Sequence, residues 1–146
     1  MSRLLETEKD RRNQRAAQEY VEKLFNWELY ELPIEYRADW LAIQDEAHVG
    51  LVEFKRRNCR HRDFDTVFLN SKKYSDCKTL ADHLGIPFYY VNQWDDKIGI
   101  IQPTIADVMR GKVRMVRSDY RDNTDDNYMM IHLPLDRFDF YAVPQL

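Results

Sequence analysis

With 146 residues and 22 basic against 25 acidic side chains, net charge −3, the chain has one domain's length and is not a globally basic nucleic-acid binder, although a local basic patch is allowed. A content of 44% hydrophobic, 13% aromatic and 32% charged residues, with only 4 Gly and 5 Pro, excludes wholesale disorder and linker-rich architecture. No apolar run approaches the ~18 residues that span a bilayer and no signal peptide opens the chain, so it reads as a cytoplasmic protein without a membrane partner.

The first predicted element is a helix from about Leu5 to Asn26. Ala17, Tyr20, Val21, Leu24 and Glu28 share one face, four of them apolar. Two extended segments follow, Ile34 to Ile43 and His48 to Arg56. The short polar spacer Gln44-Asp45-Glu46-Ala47 between them predicts an antiparallel hairpin. A third strand, Asp65 to Asn70, leads to Ser71 as N-cap of a helix running to about Leu84, which Gly85-Ile86-Pro87 ends. Phe88 to Asn92 reads as a buried strand, Lys97 to Gln102 as the next, and Lys112 to Arg117 and Tyr128 to Leu133 as two more around an acidic loop, Ser118 to Asp126. The order helix, three strands, helix, strand, then a β-rich C-terminal extension, predicts an α/β fold bordering on α+β in one domain, residues 1–146.

The chemistry concentrates in Asp39 and in Glu53-Phe54-Lys55. Strand alternation puts Glu53 and Lys55 on one face and Val52 and Phe54 on the other, while the hairpin carries Asp39 toward Glu53. Such a trio is often a cross-strand ion pair on a solvated face. Here, however, Glu53 interrupts the apolar run Leu51-Val52-Glu53-Phe54, and Asp39 precedes Trp40-Leu41-Ala42-Ile43. Charges in such settings call for a partner or a metal. Two adjacent carboxylates resist joint ionisation unless a cation compensates. Mg²⁺, a hard ion usually held by one or two carboxylates plus waters and phosphate, suits them, and Mn²⁺ substitutes for it. Lys55 beside them fits metal-assisted phosphodiester hydrolysis.

These residues resemble the PD-(D/E)XK nuclease superfamily, whose signature is an acidic residue on one strand and (Asp/Glu)-x-Lys on the next. The runs VGLVEFKRRN, DTVFLNSKKY, LGIPFYYVNQWDDKIGII and DNYMMIHLPLDRF are similar to small phage and prophage members, over about Tyr20 to Phe138. The resemblance implies a restriction-endonuclease-like mixed sheet flanked by helices. It implies Asp39, Glu53 and Lys55 as catalytic residues, and Asp39, Glu53 and the Phe54 backbone carbonyl as metal ligands. Ala38 stands where the motif has Pro, a common departure. Many members add a Glu from the first helix; the corresponding place falls near Gln18, with Glu22 one turn on, and Gln18 is not acidic. The implied function is a Mg²⁺-dependent nuclease of DNA in phage DNA processing, working in the cytoplasm of an infected or lysogenic bacterial host. Duplex, branched and single-stranded DNA stay open as substrates, as does RNA. The alternative is a nucleic-acid-binding or phage-assembly module with weak or lost catalysis. Many relatives dimerise, and the aromatics here permit a homodimer.

Arg56, Arg57, Arg60 and Arg62 form a basic run leaving the Glu53 strand and read as phosphate contacts. Lys72 and Lys73 open the second helix against the macrodipole, which suggests that one of them faces DNA phosphate or the carboxylate pair. Lys73 is preferred because the similar phage proteins carry a lysine near this place. Tyr89 and Trp94 read as core. The four histidines lack ligand spacing, and with only two cysteines, Cys59 and Cys77, neither a zinc site nor a disulfide framework is expected.

Overall fold

The strands form two sheets rather than one. The computed structural model describes residues 8–110, 113–117 and 127–143. The elements are α1 (Glu8–Phe25), β1 (Glu28–Glu31), β2 (Trp40–Gln44), β3 (Ala47–Arg56), β4 (Thr66–Asn70), α2 (Ser71–Leu84), β5 (Phe88–Gln93), β6 (Lys97–Ile101), α3 (Ile105–Arg110), β7 (Val113–Arg117), β8 (Asn127–Pro134) and β9 (Asp139–Ala142). The larger sheet has the order β1-β2-β3-β5-β6-β9 and the smaller β4-β8-β7. Among the described residues only the β3–β5 pair is parallel, and α2 lies in the connection between those two strands. A parallel pair needs such a crossover.

The predicted order of helix, three strands, helix and strand holds for the large sheet, but with different strands. The three before α2 are β1, β2 and β3; Asp65 to Asn70 falls instead in the second sheet, as β4. The four-residue β1 went unpredicted because a strand that short shows no useful alternation. Ile34 to Tyr36, expected to be extended, is a 3-10 turn, and the chain enters β2 only after Arg37, whose φ is +67°. The predicted acidic loop, Ser118 to Asp126, lies outside the described residues.

The hairpin forms as expected. Gln44 pairs with Ala47, and Asp45 and Glu46 both have positive φ, at 51° and 67°. Two left-handed central residues match the right-handed twist of the strands they join. The register shifts between Ala42 and Ile43, so β3 carries one extra residue there. Gly50, next to that irregularity, is needed for close approach, since a Cβ would sit 2.5 Å from the Tyr89 ring.

Each face of the large sheet has its own core. Ala17 and Val21 of α1 pack with Trp40, Val52, Val91 and Ile98 on one side. On the other, Tyr74, Cys77 and Ala81 of α2 join Leu51, Phe88 and Tyr90, together with Val67, Leu69, Ile131 and Leu133 of the small sheet. Of the first-helix stripe read from the sequence, Ala17 and Val21 are buried and Tyr20 and Leu24 half-buried, whereas Glu28, counted on that face, lies beyond the helix in β1 and is exposed. The α2 cap is Asn70 rather than Ser71: its side chain accepts from the backbone N–H of Lys72 and Lys73. Among the described residues no helix is long and apolar enough to cross a membrane.

Asp107 of α3, 4% exposed, is clamped by Arg137 through Nε–Oδ1 at 2.6 Å and Nη2–Oδ2 at 2.9 Å, and it also accepts from the Thr104 N–H. The Arg137 hydrogen bonds hold the carboxyl below the usual carboxylate range. A depressed carboxylate pKa stabilises the fold above the unfolded value, and that contribution is lost as pH falls through the folded value. Asp107→Asn is expected to cost about 1–2 kcal/mol at neutral pH, a figure discounted because Arg137 reaches water. Urea unfolding at pH 7 and pH 3 checks this, and the difference from wild type should shrink at the lower pH.

Candidate active site

The hairpin and the parallel pair bring Asp39 and Glu53 together. Trp40 pairs with Val52, so Asp39 falls one step from the end of β2, level with Glu53. Its N–H donates to Val52 O at 3.1 Å, and its Oδ2 accepts from the Phe54 N–H at 2.8 Å. As expected, Val52 and Phe54 are anchored on the α1 side, with the Phe54 ring 5.4 Å from that of Trp40. Glu53 and Lys55 face the α2 side beside Tyr90 and Asn92, their register partners on β5.

Glu53 is held in an uncomfortable state. Its side chain is only 13% exposed, and its buried Oε1 has no hydrogen-bond partner. Burial first, and then the neighbouring Asp39 charge, raise its pKa well above the ordinary value, while Lys73 and Lys55 pull the other way. Lys73 Nζ is 3.7 Å from Glu53 Oε1 and donates to Arg37 O at 2.6 Å. Of the two anions considered for Lys73, the carboxylate pair is the one it meets here, which offsets the mild conflict of lysine at a helix start. Cys77 donates weakly to the same Arg37 carbonyl, at 3.8 Å, and burial pushes its thiol up, far from the thiolate that reactivity requires.

These residues fit a divalent cation. Both side chains are hard oxygen donors, and a buried carboxylate oxygen without a hydrogen bond is a ligand in waiting. In a strand the N–H and C=O of one residue point to the same side. The Phe54 N–H reaches Asp39, so its carbonyl also points toward Asp39, past the end of β2. Among the described residues no set of three His, Cys, Asp or Glu converges, so the rest of an octahedron would come from that carbonyl and from waters.

The first-helix candidates turn elsewhere. Gln18 Nε2 donates to Leu29 O at 2.8 Å, and Glu22 accepts from the Leu29 N–H at 2.8 Å. Leu29 pairs with Ala42, three residues along β2 from Asp39. Both side chains serve to tie α1 to β1.

The basic run separates into different roles. Arg57 donates to Asn92 Oδ1 at 2.8 Å, Phe68 O at 2.7 Å and Tyr90 Oη at 2.8 Å, joining the two sheets. Arg56 pairs with Asp95 at 2.7 Å. Arg60, whose side chain is 70% exposed, stands 3.7 Å from Asp96, and exposed Arg62 donates to His61 Nε2 at 3.2 Å. Sequence reasoning missed Asn92 and the hydroxyl of Tyr90, whose pKa burial pushes up to about 12. Their period-two spacing on the strand beside Glu53 and Lys55 was the available signal.

Residues 2–141 match the family described as "Phage putative PDDEXK endonuclease". The chain belongs to that family. This PD-(D/E)XK nuclease therefore has the membership that its Asp39 and Glu53-Phe54-Lys55 motif implied. No curated protein matches it. Among solved structures it is similar to Hjc, a Holliday junction resolvase from the archaeal hyperthermophile Archaeoglobus fulgidus, at 12% identity and a TM-score of 0.44, over 75% of this chain and 85% of that one.

Proposed function

We propose that this PD-(D/E)XK nuclease is a divalent-metal-dependent endonuclease of DNA. Mg²⁺, or Mn²⁺ in its place, would be held by Asp39, Glu53 and the Phe54 carbonyl. The observation that carries the reading is the buried, hydrogen-bond-free Glu53 Oε1 beside Asp39, with Lys55 on the same strand face. When bound, the cation supplies Lewis acidity toward a phosphoryl oxygen and acidifies a water. Lys55 orients the attacking water and holds charge developing on the phosphate as the water oxygen bonds to phosphorus and the bond to the leaving oxygen breaks. Asp39 is itself positioned by the Phe54 N–H. Lys73 supplies positive charge at Glu53.

Arg56, Arg60 and Arg62, all exposed, would steer the phosphate backbone. The family description supports a role in phage DNA processing inside an infected or lysogenic bacterial host. Tyr30 and Tyr36, exposed near the edge strand β1, permit a homodimer. A binding or assembly module with weak catalysis is the second reading, favoured by the commitment of Gln18 and Glu22 to Leu29.

Supercoiled, linear, single-stranded and four-way-junction DNA incubated with Mg²⁺ or Mn²⁺ separate the two. The nuclease reading expects metal-dependent cutting that Asp39→Asn and Lys55→Ala each reduce at least about 10²-fold. Salt-sensitive binding with no cutting on any substrate would establish the module instead.

A further inference from the structure

The loop that carries the basic run borders, with the small sheet, a half-open cavity of about 400 Å³. Arg57, Phe64, Thr66, Phe68, Trp94 and His132 line it. Its walls are aromatic: the Phe68 and His132 rings lie 4.3 Å apart and tilted, and Trp94 is buried against the core. Two of the lining rings reach solvent, Phe64 67% and Phe68 38% exposed. Large apolar side chains left in water around a concave site mark a binding surface. Polar edges are also present, since Thr66 Oγ1 lies 3.3 Å from His132 Nδ1.

The position of the cavity links it to the carboxylates. Arg57 lines the cavity and hydrogen-bonds Tyr90, which pairs with Glu53 across β3 and β5. Arg57, just past the end of β3, is four residue steps from Glu53, ~13 Å at ~3.3 Å per step, or a few nucleotides of a DNA strand at ~3.4 Å each. Exposed Arg60 and Arg62 lie on the same loop.

We propose that this cavity takes an unpaired nucleobase of the DNA substrate. The inference rests on the nuclease reading and narrows its substrate class to DNA bearing a single-stranded or extrahelical nucleotide close to the phosphate that is cut. Every base has a π-face that such rings stack upon, with little regard to sequence. A base still paired and stacked in a duplex cannot insert its face among these rings without leaving the helix, so unpaired DNA avoids a cost that duplex carries.

Three 30-mer DNAs test this in EDTA: fully paired, paired with one bulged 2-aminopurine, and single-stranded. Anisotropy gives affinity, and 2-aminopurine emission reports stacking. Wild type should bind bulged and single-stranded DNA at least about 10-fold tighter than paired DNA, with an emission change on binding. Phe64→Ala, at an exposed position, should bring that ratio close to 1, and Phe64→Trp should restore it. Equal affinity for all three DNAs, or a preference untouched by Phe64→Ala, would overturn the cavity's role while leaving the nuclease reading intact. A ratio lost in Phe64→Trp as well would assign the effect to loop shape and overturn stacking. Neither binding nor metal-dependent cutting of any DNA by wild type would instead remove the nuclease reading itself, and the cavity's role with it.

Discussion

Glu53→Gln is expected to remove metal-dependent cleavage, by at least about 10³-fold, and at the same time to stabilise the fold in the absence of divalent cations. The two effects have one cause. Glu53 is buried, faces the Asp39 charge and has an oxygen without a hydrogen bond, so its ionised form is disfavoured in the folded protein. A neutral amide of the same shape removes the repulsion and, with it, the anionic ligand. The gain should be about 1–2 kcal/mol at neutral pH, limited by loss of the 3.7 Å contact with Lys73. Urea unfolding in EDTA, beside a cleavage assay in Mg²⁺, measures both on one preparation. A variant that lost activity and stability together would indicate that Glu53 serves chiefly as the structural partner of Lys73.

Arg57→Met is expected to be among the most damaging single changes, at about 2–4 kcal/mol. Its guanidinium satisfies the Asn92 side-chain oxygen, the Phe68 carbonyl and the Tyr90 hydroxyl. Asn92 is fully buried, and its Nδ2 already lacks a partner, so losing Arg57 would leave both ends of that amide unsatisfied. Lysine should rescue little, because one ammonium cannot reproduce the planar fork that spans three acceptors. Chemical denaturation of Arg57→Met and Arg57→Lys checks this. A loss below about 0.5 kcal/mol, the range of ordinary surface changes, would contradict the bridging role.

Arg57 also shows where a sequence stops being informative. In the run Lys55 to Arg62 it resembles its neighbours, and nothing local distinguishes a phosphate contact from a structural joint. The difference depends on Phe68, Tyr90 and Asn92, which lie 11 to 35 residues away. Lys73 was partly legible: a lysine at a helix start conflicts with the macrodipole, which pointed to DNA phosphate or the carboxylate pair, and its Nζ lies 3.7 Å from Glu53 Oε1. The existence of the hairpin and the facing of Glu53 and Lys55 were legible, since strand alternation and a short polar spacer are local properties, although the first strand starts at Trp40 rather than Ile34. The strand content of the large sheet was not. Four residues, Glu28–Glu31, form its edge, and Thr66–Asn70 reads like any inner strand but pairs with residues 130 to 134. Such pairing is set by tertiary packing rather than by propensity.

The central claim is that Asp39 and Glu53 form a divalent-cation site, and the most direct measurement of it is Mn²⁺ binding. Calorimetric titration of the full chain with Mn²⁺ at pH 7.5, alongside thermal unfolding, should show saturable binding and a raised Tm for wild type. Glu53→Gln and Asp39→Asn should show neither. Absence of binding by wild type, or undiminished binding by both variants, would contradict the assignment.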